Sequence, residues 1–327
     1  MIEFLKISDL QLGYHNQVLF RSINASIQAG EFVVLLGKNG QGKSTLSDTI
    51  LGLTPYKSGK IFLQGRELHT IALTERASIV AAVFSKLHQV PSIKVRELIA
   101  LGHLHRSINF KKMDQTALDL MEEVITFIGL EHLLDAYADE LSEGQLQLVM
   151  IARALIQDTP FLILDEPTAN LDIENQIKIF KLIQRINREK KKSILFITHD
   201  AQMALQFADK LWWMENEQLF EGFPEDIAYR HKILEQLSGG QLKYDSKSNA
   251  YQLNFDAPIA GGNPNEEIKY WIQHALSRLG ITSEPNLMDE LSFNPSTIQW
   301  KDVHFDHIAS LITYIQEHEK YNYNRSK

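Results

Sequence analysis

The chain has 327 residues, 44% of them hydrophobic, enough for a substantial buried core and long enough for two domains. Its formal net charge of -8 argues against a general nucleic-acid binder, which needs a basic surplus or stripe. With no cysteine in the chain, disulfides, zinc fingers and thiol catalysis are excluded.

The opening "MIEFLKISDLQLGY" breaks its apolar residues with Glu3, Lys6 and Asp9, so no secretory signal is expected there. Residues 1 to about 35 read as short strands, "FLKISDLQL", "RSINASIQ" and then the buried-looking run "EFVVLLG" between Gly30 and Gly37. From Ser44 the pattern turns helical, with Leu46, Ile50 and Leu53 on one face and Pro55 as the stop. Between Ser92 and Ala138 the chain reads as mostly helical, with Gly102 and Gly129 as expected C-caps. Strands and helices then alternate through "FLILDE", "NQIKIFKLIQRINRE", "SILFITH" and "AQMALQFA", the pattern of an α/β domain with a largely parallel sheet. The basic run Arg188 to Lys192 reads as a solvated loop.

After about Gln236 the composition turns to Gly, Ser, Asn and Lys, a linker pattern holding one short strand. Order returns with Ile268, Trp271, Ala275 and Leu279 on one helical face, "ELSF" and "TIQW" as strands, and Ile308, Leu311, Ile312 and Ile315 marking a last helix. Two of the four Trp and six of the ten Tyr lie beyond residue 241, too aromatic for a disordered tail. The expected division is a first domain over 1-236 with a helical insertion at about 87-145, a linker over 237-250, and a small α+β domain over 251-327. His304 and His307 near Asp306 read as surface histidines rather than metal ligands. The longest apolar runs are strand-sized, far short of the ~20 residues that cross a bilayer, so any membrane association is expected to come through a partner.

"GKNGQGKS", Gly37 to Ser44, satisfies GxxxxGK[ST] and lies between a buried strand and a helix, the setting a phosphate-cradling loop requires. Gly37, Gly40 and Gly42 let backbone N–H groups turn inward around phosphate oxygens, with Lys38, Asn39 and Gln41 completing the loop. Lys43 supplies positive charge for the β- and γ-phosphates, Ser44 a hydroxyl for Mg2+, and Thr45 a further donor. "FLILDEP", Phe161 to Pro167, is a buried strand ending in two carboxylates, and strand alternation sends the two side chains to opposite sides. Asp165 is placed to hold Mg2+ and Glu166 to polarise the attacking water.

With "GKNGQGKS", "LSEGQ", "LILDEP", "ANLD" and "ITHD" in that order, residues 1 to about 235 resemble an ATP-binding cassette (ABC) ATPase. The resemblance implies a P-loop NTPase cassette, with a mostly parallel core sheet, an N-terminal antiparallel part and a helical insertion. It further implies Tyr14 on the adenine, His199 on the γ-phosphate, and a homodimer with ATP sandwiched between subunits. In that dimer Ser142, Gly144 and Gln145 would reach the ATP of the opposing subunit, as would Asp172. Where the family carries a metal-side glutamine this chain has Ser85, or Gln89 if the loop is longer.

The pentapeptide occurs twice, as "LSEGQ" at Leu141 to Gln145 and as "LSGGQ" at Leu237 to Gln241. Only the first is followed by an apolar helical face, Leu148, Ile151, Ala152 and Leu155, so it is the expected phosphate element and the second an interdomain turn. Glu143 replaces the commoner glycine and brings a carboxylate towards triphosphate. "VRELIALGHLH" resembles importers of iron-siderophores, haem and cobalamin. That implies integral-membrane permease subunits, a solute-binding protein acting indirectly, and a place on the cytoplasmic face of the membrane. The rival readings are a soluble ABC ATPase in DNA repair or translation, and a low-turnover ATP switch.

Overall fold

The computed structural model describes residues 3–14, 17–84, 92–106 and 113–222. Beyond these it describes 224, 227, 231, 233–237, 242–245, 250–253, 291–294, 297–305, 310–311 and 314–315. The chain divides into two compact units, Met1–Leu237 and Ser238–Lys327.

In the first unit β1 (Glu3–Tyr14) and β2 (Gln17–Gln28) form a long antiparallel pair. The central strand β3 (Phe32–Gly37) leads into helix α1 (Lys43–Leu51). Strands β4 (Ser58–Leu63) and β5 (Arg66–Glu67) complete a four-stranded sheet in the order β2-β1-β4-β5. After the short α2 (Leu73–Arg76) come β6 (Val80–Phe84), α3 (Val95–Ala100), α4 (Gln115–Ile128) and α5 (Glu143–Ile156). The series ends with β7 (Phe161–Asp165), α6 (Ile173–Lys190), β8 (Ser193–Ile197), α7 (Ala201–Phe207), β9 (Lys210–Glu215) and β10 (Gln218–Gly222).

The second sheet has the order β10-β9-β3-β8-β7-β6, parallel except for β10. Its central strands are uninterrupted apolar runs because both faces are covered. Phe32, Val34 and Leu36 of β3 enter the core shared with α3, α4, α5 and α6, whereas Val33 and Leu35 enter the one shared with α1 and the antiparallel sheet. Adjacent Trp213 and Trp212 of β9 divide in the same way, as period-two alternation requires. One parallel sheet thus separates two hydrophobic cores and brings the C-terminal ends of β3, β7 and β8 to one edge, where open α/β sheets bind ligands.

Several local expectations are revised. Helix α1 stops at Gly52, whose φ of 73° suits a glycine C-cap, so Leu53 lies past the helix and is exposed. Gly129 caps α4 as the spacing implies, but Gly102 caps nothing. A Cβ there would stand 2.0 Å from the Arg153 carbonyl, so its glycine serves close approach to α5. The basic run is not simply a solvated loop: Arg188 to Lys190 form the last turn of α6, Lys190 pairs with Glu123 of α4, and Lys192 donates to the Thr159 carbonyl at 2.6 Å and pairs with Asp158.

In the second unit, Leu242–Asp245 pairs antiparallel with Ala250–Leu253, so residues 237–250 hold a strand of a hairpin. A three-stranded meander follows, Leu291–Asn294, Thr297–Trp300 and Val303–Phe305. Its Ile298, Trp300 and Phe305 are buried, as are Leu311 and Ile315, and the Tyr314 ring meets Trp300 and Phe305 edge-on. His304 is exposed in the last of these strands; His307 and the helix expected around Ile268 lie outside the described residues. No helix among the described residues is long and apolar enough to cross a membrane.

Candidate active site

The glycine loop joins the end of β3 to α1. Gly40 and Gly42 have φ of 79° and 91°, a region costly to residues with a Cβ. At Gly37 a Cβ would meet the Gln41 Oε1 at 2.9 Å and Met214 at 3.0 Å, so its backbone must stay bare. Gln41 accepts the Lys38 N–H at 2.8 Å and so ties the loop to itself, while Lys38, Asn39 and Gly40 are exposed. Helix α1 starts with no side-chain cap, so its positive end faces the loop.

Lys43 is buried. Its Nζ donates to the carbonyls of Gly37 at 2.8 Å and Lys38 at 3.1 Å, and lies 4.0 Å from a Glu166 carboxylate oxygen. Burial pulls its pKa below the ordinary lysine value, while Glu166 and Asp165 work against the fall. Thr45 is buried beside it and Ser44 is exposed.

Asp165 ends β7 and is buried, and burial raises its pKa above the ordinary carboxylate value. A hydrogen bond with the Ser44 hydroxyl opposes that rise, and its Oδ1 is enclosed with no hydrogen-bond partner. A buried carboxylate oxygen left unpaired beside a hydroxyl suits a hard cation that takes oxygen ligands. The residues present therefore fit Mg2+, although no cluster of three or more acidic or histidine ligands exists among the described residues.

Glu166 is not a continuation of the strand. Its φ is 49° and its N–H donates to the Ile197 carbonyl at 2.9 Å, so a left-handed turn, not strand alternation, separates it from Asp165. Left-handed backbone at a non-glycine residue costs about 1–3 kcal/mol and is characteristic of functional sites. The same Glu166 oxygen lies 4.0 Å from the Nδ1 of His199, an exposed residue just past β8. Lys43, Asp165, Glu166 and His199 thus converge from three neighbouring strand ends.

Ser142, Gly144, Gln145 and Asp172 form a second group. Ser142 is the N-cap of α5, where its hydroxyl accepts the Gln145 N–H at 3.3 Å and the Gln145 side chain accepts the Ser142 N–H at 3.0 Å, a capping box. Gly144 packs on Asn175, which Asp172 holds through its N–H at 2.8 Å and its side-chain amide at 2.9 Å. The side chain of Tyr14, and all of Ser85 and Gln89, lie outside the described residues. Of the second pentapeptide, Leu237 ends the short helix Ile233–Leu237 and 238–241 are outside the described residues.

One residue with no local sequence signal supports the site. Arg76 is buried and donates to the carbonyls of Leu51, Leu68 and Ile71, each at 3.0 Å, tying the far end of α1 to the chain entering β6. A Cβ at Gly52 would overlap its guanidinium at 1.6 Å.

A glycine loop on a buried parallel strand, an uncapped helix start and converging Lys, Asp and Glu define a P-loop nucleotide-binding protein. The ABC transporter family model matches residues 20–169. An uncharacterized ABC transporter ATP-binding protein of Methanocaldococcus jannaschii is 32% identical over 76% of this chain and 86% of its own length. The ferric enterobactin transport ATP-binding protein FepC of Escherichia coli is 30% identical over 79% of this chain and 91% of its own. Among solved structures, cbiO1 of Clostridium perfringens, part of the transporter complex cbiONQ, superposes with a TM-score of 0.63 at 28% identity, covering 73% of this chain and 95% of that one. The dimeric ADP- and Pi-bound ATP-binding cassette MJ0796 superposes with a TM-score of 0.59 at 24% identity, covering 67% of this chain and 98% of that one. The chain belongs to the family of ABC transporter ATP-binding proteins and is an ATPase cassette.

Proposed function

We propose that two copies of this chain form the motor of an importer for an iron-siderophore, haem or cobalamin-type solute. They would sit on the cytoplasmic face of the membrane through permease subunits and be served indirectly by a solute-binding protein. The observation that carries the ATPase reading is the placement of Glu166 between Lys43 and His199, beside the unpartnered Asp165 oxygen. The solute class is supported by the names of similar proteins, FepC and the iron(3+)-hydroxamate import protein FhuC of Bacillus subtilis, 31% identical over 62% of this chain and 76% of its own length.

In this reading Gly37 to Thr45 wrap the phosphates with backbone N–H groups, Lys43 exchanges its two carbonyl partners for phosphate oxygens, and Tyr14 stacks on adenine. Ser44 and Asp165 would hold Mg2+, with Ser85 or Gln89 as the further metal-side residue. When bound, the ion neutralises phosphate charge. Glu166 accepts a proton from the water whose oxygen attacks the γ-phosphorus as the bond to ADP breaks, and His199 donates to the γ-phosphate. Ser142, Gly144, Gln145 and Asp172 act on the nucleotide of the opposing copy. Closure is favoured because those contacts exist only in the closed state.

Glu166→Gln with MgATP should give a stable dimer by light scattering with turnover lost; only monomers at saturating MgATP would overturn the motor reading. Uptake of a labelled ferric siderophore into vesicles containing the chain and its permease tests the solute. ATP-dependent uptake is expected, and its absence while another solute is carried would reassign the substrate.

A further inference from the structure

Several charges around the two groups of site residues are engaged within the chain, whereas two exposed ones are not. Lys43 is turned inward to Glu166, Asp172 is engaged with Asn175, and Glu174 pairs with Lys178 at 2.7 Å. The exceptions are Lys38, the outward-facing cation of the loop Gly37 to Thr45, and Glu143, the first residue of α5. Both are exposed, and neither side-chain charge has an ion-pair or hydrogen-bond partner among the described residues. Each also stands on well-fixed backbone. The Lys38 N–H is held by Gln41 and its carbonyl by Lys43, while Glu143 sits inside the Ser142–Gln145 capping box, next to Gly144 packed on Asn175.

We propose that in the closed dimer Glu143 of each copy forms an ion pair with Lys38 of the other. The inference rests on the head-to-tail dimer proposed above, which brings the start of α5 over the opposing glycine loop. Twofold symmetry then makes the contact occur twice. Such a pair resolves the objection that a carboxylate in place of glycine would repel triphosphate, because the lysine screens it, and it favours like chains over other partners. The competing account is an acidic residue that only complements the N-terminal charge of its own helix, which requires nothing of Lys38.

Charge reversal separates the two. In a Glu166→Gln background, Glu143→Lys sets lysine against lysine at both contacts and Lys38→Glu sets glutamate against glutamate. Each alone should weaken MgATP-driven dimerisation about tenfold, less at high salt. An equimolar mixture of the two should dimerise nearly as the parent does, because the heterodimer has one reversed pair and one native pair. A mixture no better than its components, or a Glu143→Lys chain that dimerises as tightly as the parent, overturns the pairing.

A second test is independent of how Lys38→Glu affects nucleotide binding. The chain has no cysteine, so Glu143→Cys with Lys38→Cys treated with a short bis-maleimide should give covalent dimer only with MgATP. Failure of that crosslink while scattering shows dimer overturns the inference alone; absence of parent dimer overturns the dimer reading and the inference with it.

Discussion

Helices α1 and α5 both begin beside glycines, but their first turns are finished differently. Helix α1 starts at Gly42 in left-handed conformation with no side-chain cap, whereas α5 starts at Ser142 with a reciprocal capping box. An uncapped start is offered to a ligand at all times; a capped one is a stable surface that meets its ligand only when brought to it. In the proposed cycle the first end grips ATP in the single chain and the second contributes after closure. The chemistry of helix starts therefore divides binding from assembly.

Glu166→Gln changes a residue that belongs to neither helix, although it lies 4.0 Å from Lys43 at the start of α1. It should lower ATP turnover by about 10²–10⁴-fold while calorimetry shows nucleotide affinity retained. Lys43→Ala should break the grip at α1, reducing MgATP affinity of the isolated chain by about 100-fold, near 3 kcal/mol; unchanged affinity by calorimetry would remove Lys43 from the site. Ser142→Ala should do the opposite. Helix α5 loses about 1 kcal/mol with its cap, seen in thermal melts, and MgATP-driven dimerisation weakens while single-chain affinity stays as it was.

The smallest expected effect is on pH dependence at the α1 end. Burial raises Asp165, so the charged form proposed to hold the metal begins to be lost above the ordinary carboxylate range; burial lowers Lys43, so its cation is lost below the ordinary lysine range. Calorimetric MgATP affinity should therefore fall on both flanks earlier than free side chains would dictate. The sign for stability differs at Asp165. Its raised pKa makes the contribution to the nucleotide-free fold present at low pH and lost as pH rises through that pKa, so affinity and this contribution move oppositely. Asp165→Asn should remove this one contribution from the stability profile, leaving those of the other carboxylates.

The strands and the glycine loop were legible because their signals are local: apolar runs buried on both faces, glycines before GK, an apolar helical face after "LSEGQ". The place of Glu166 was not, since alternation describes strand backbone and the residue has left the strand through a turn fixed by a carbonyl 31 positions later, that of Ile197. Arg76 was equally invisible, because its partner at Leu51 lies in another element and only Gly52, read as a place where bulk is refused, hints at it. The basic residues at the end of α6 looked solvated because Glu123, which receives Lys190, is distant in sequence.

The main-chain bond from Glu166 to Ile197 also fixes a timing. It fastens the backbone of Glu166 to the strand that ends just before His199, so in the proposed cycle base and imidazole are spaced before a second chain arrives. A motor of the proposed kind would have no proton-handling geometry to assemble at the moment of firing. In that proposed motor the interval between strokes would follow how long two chains stay together, and a drug or a mutation that alters only their residence would retune the engine without touching its spark.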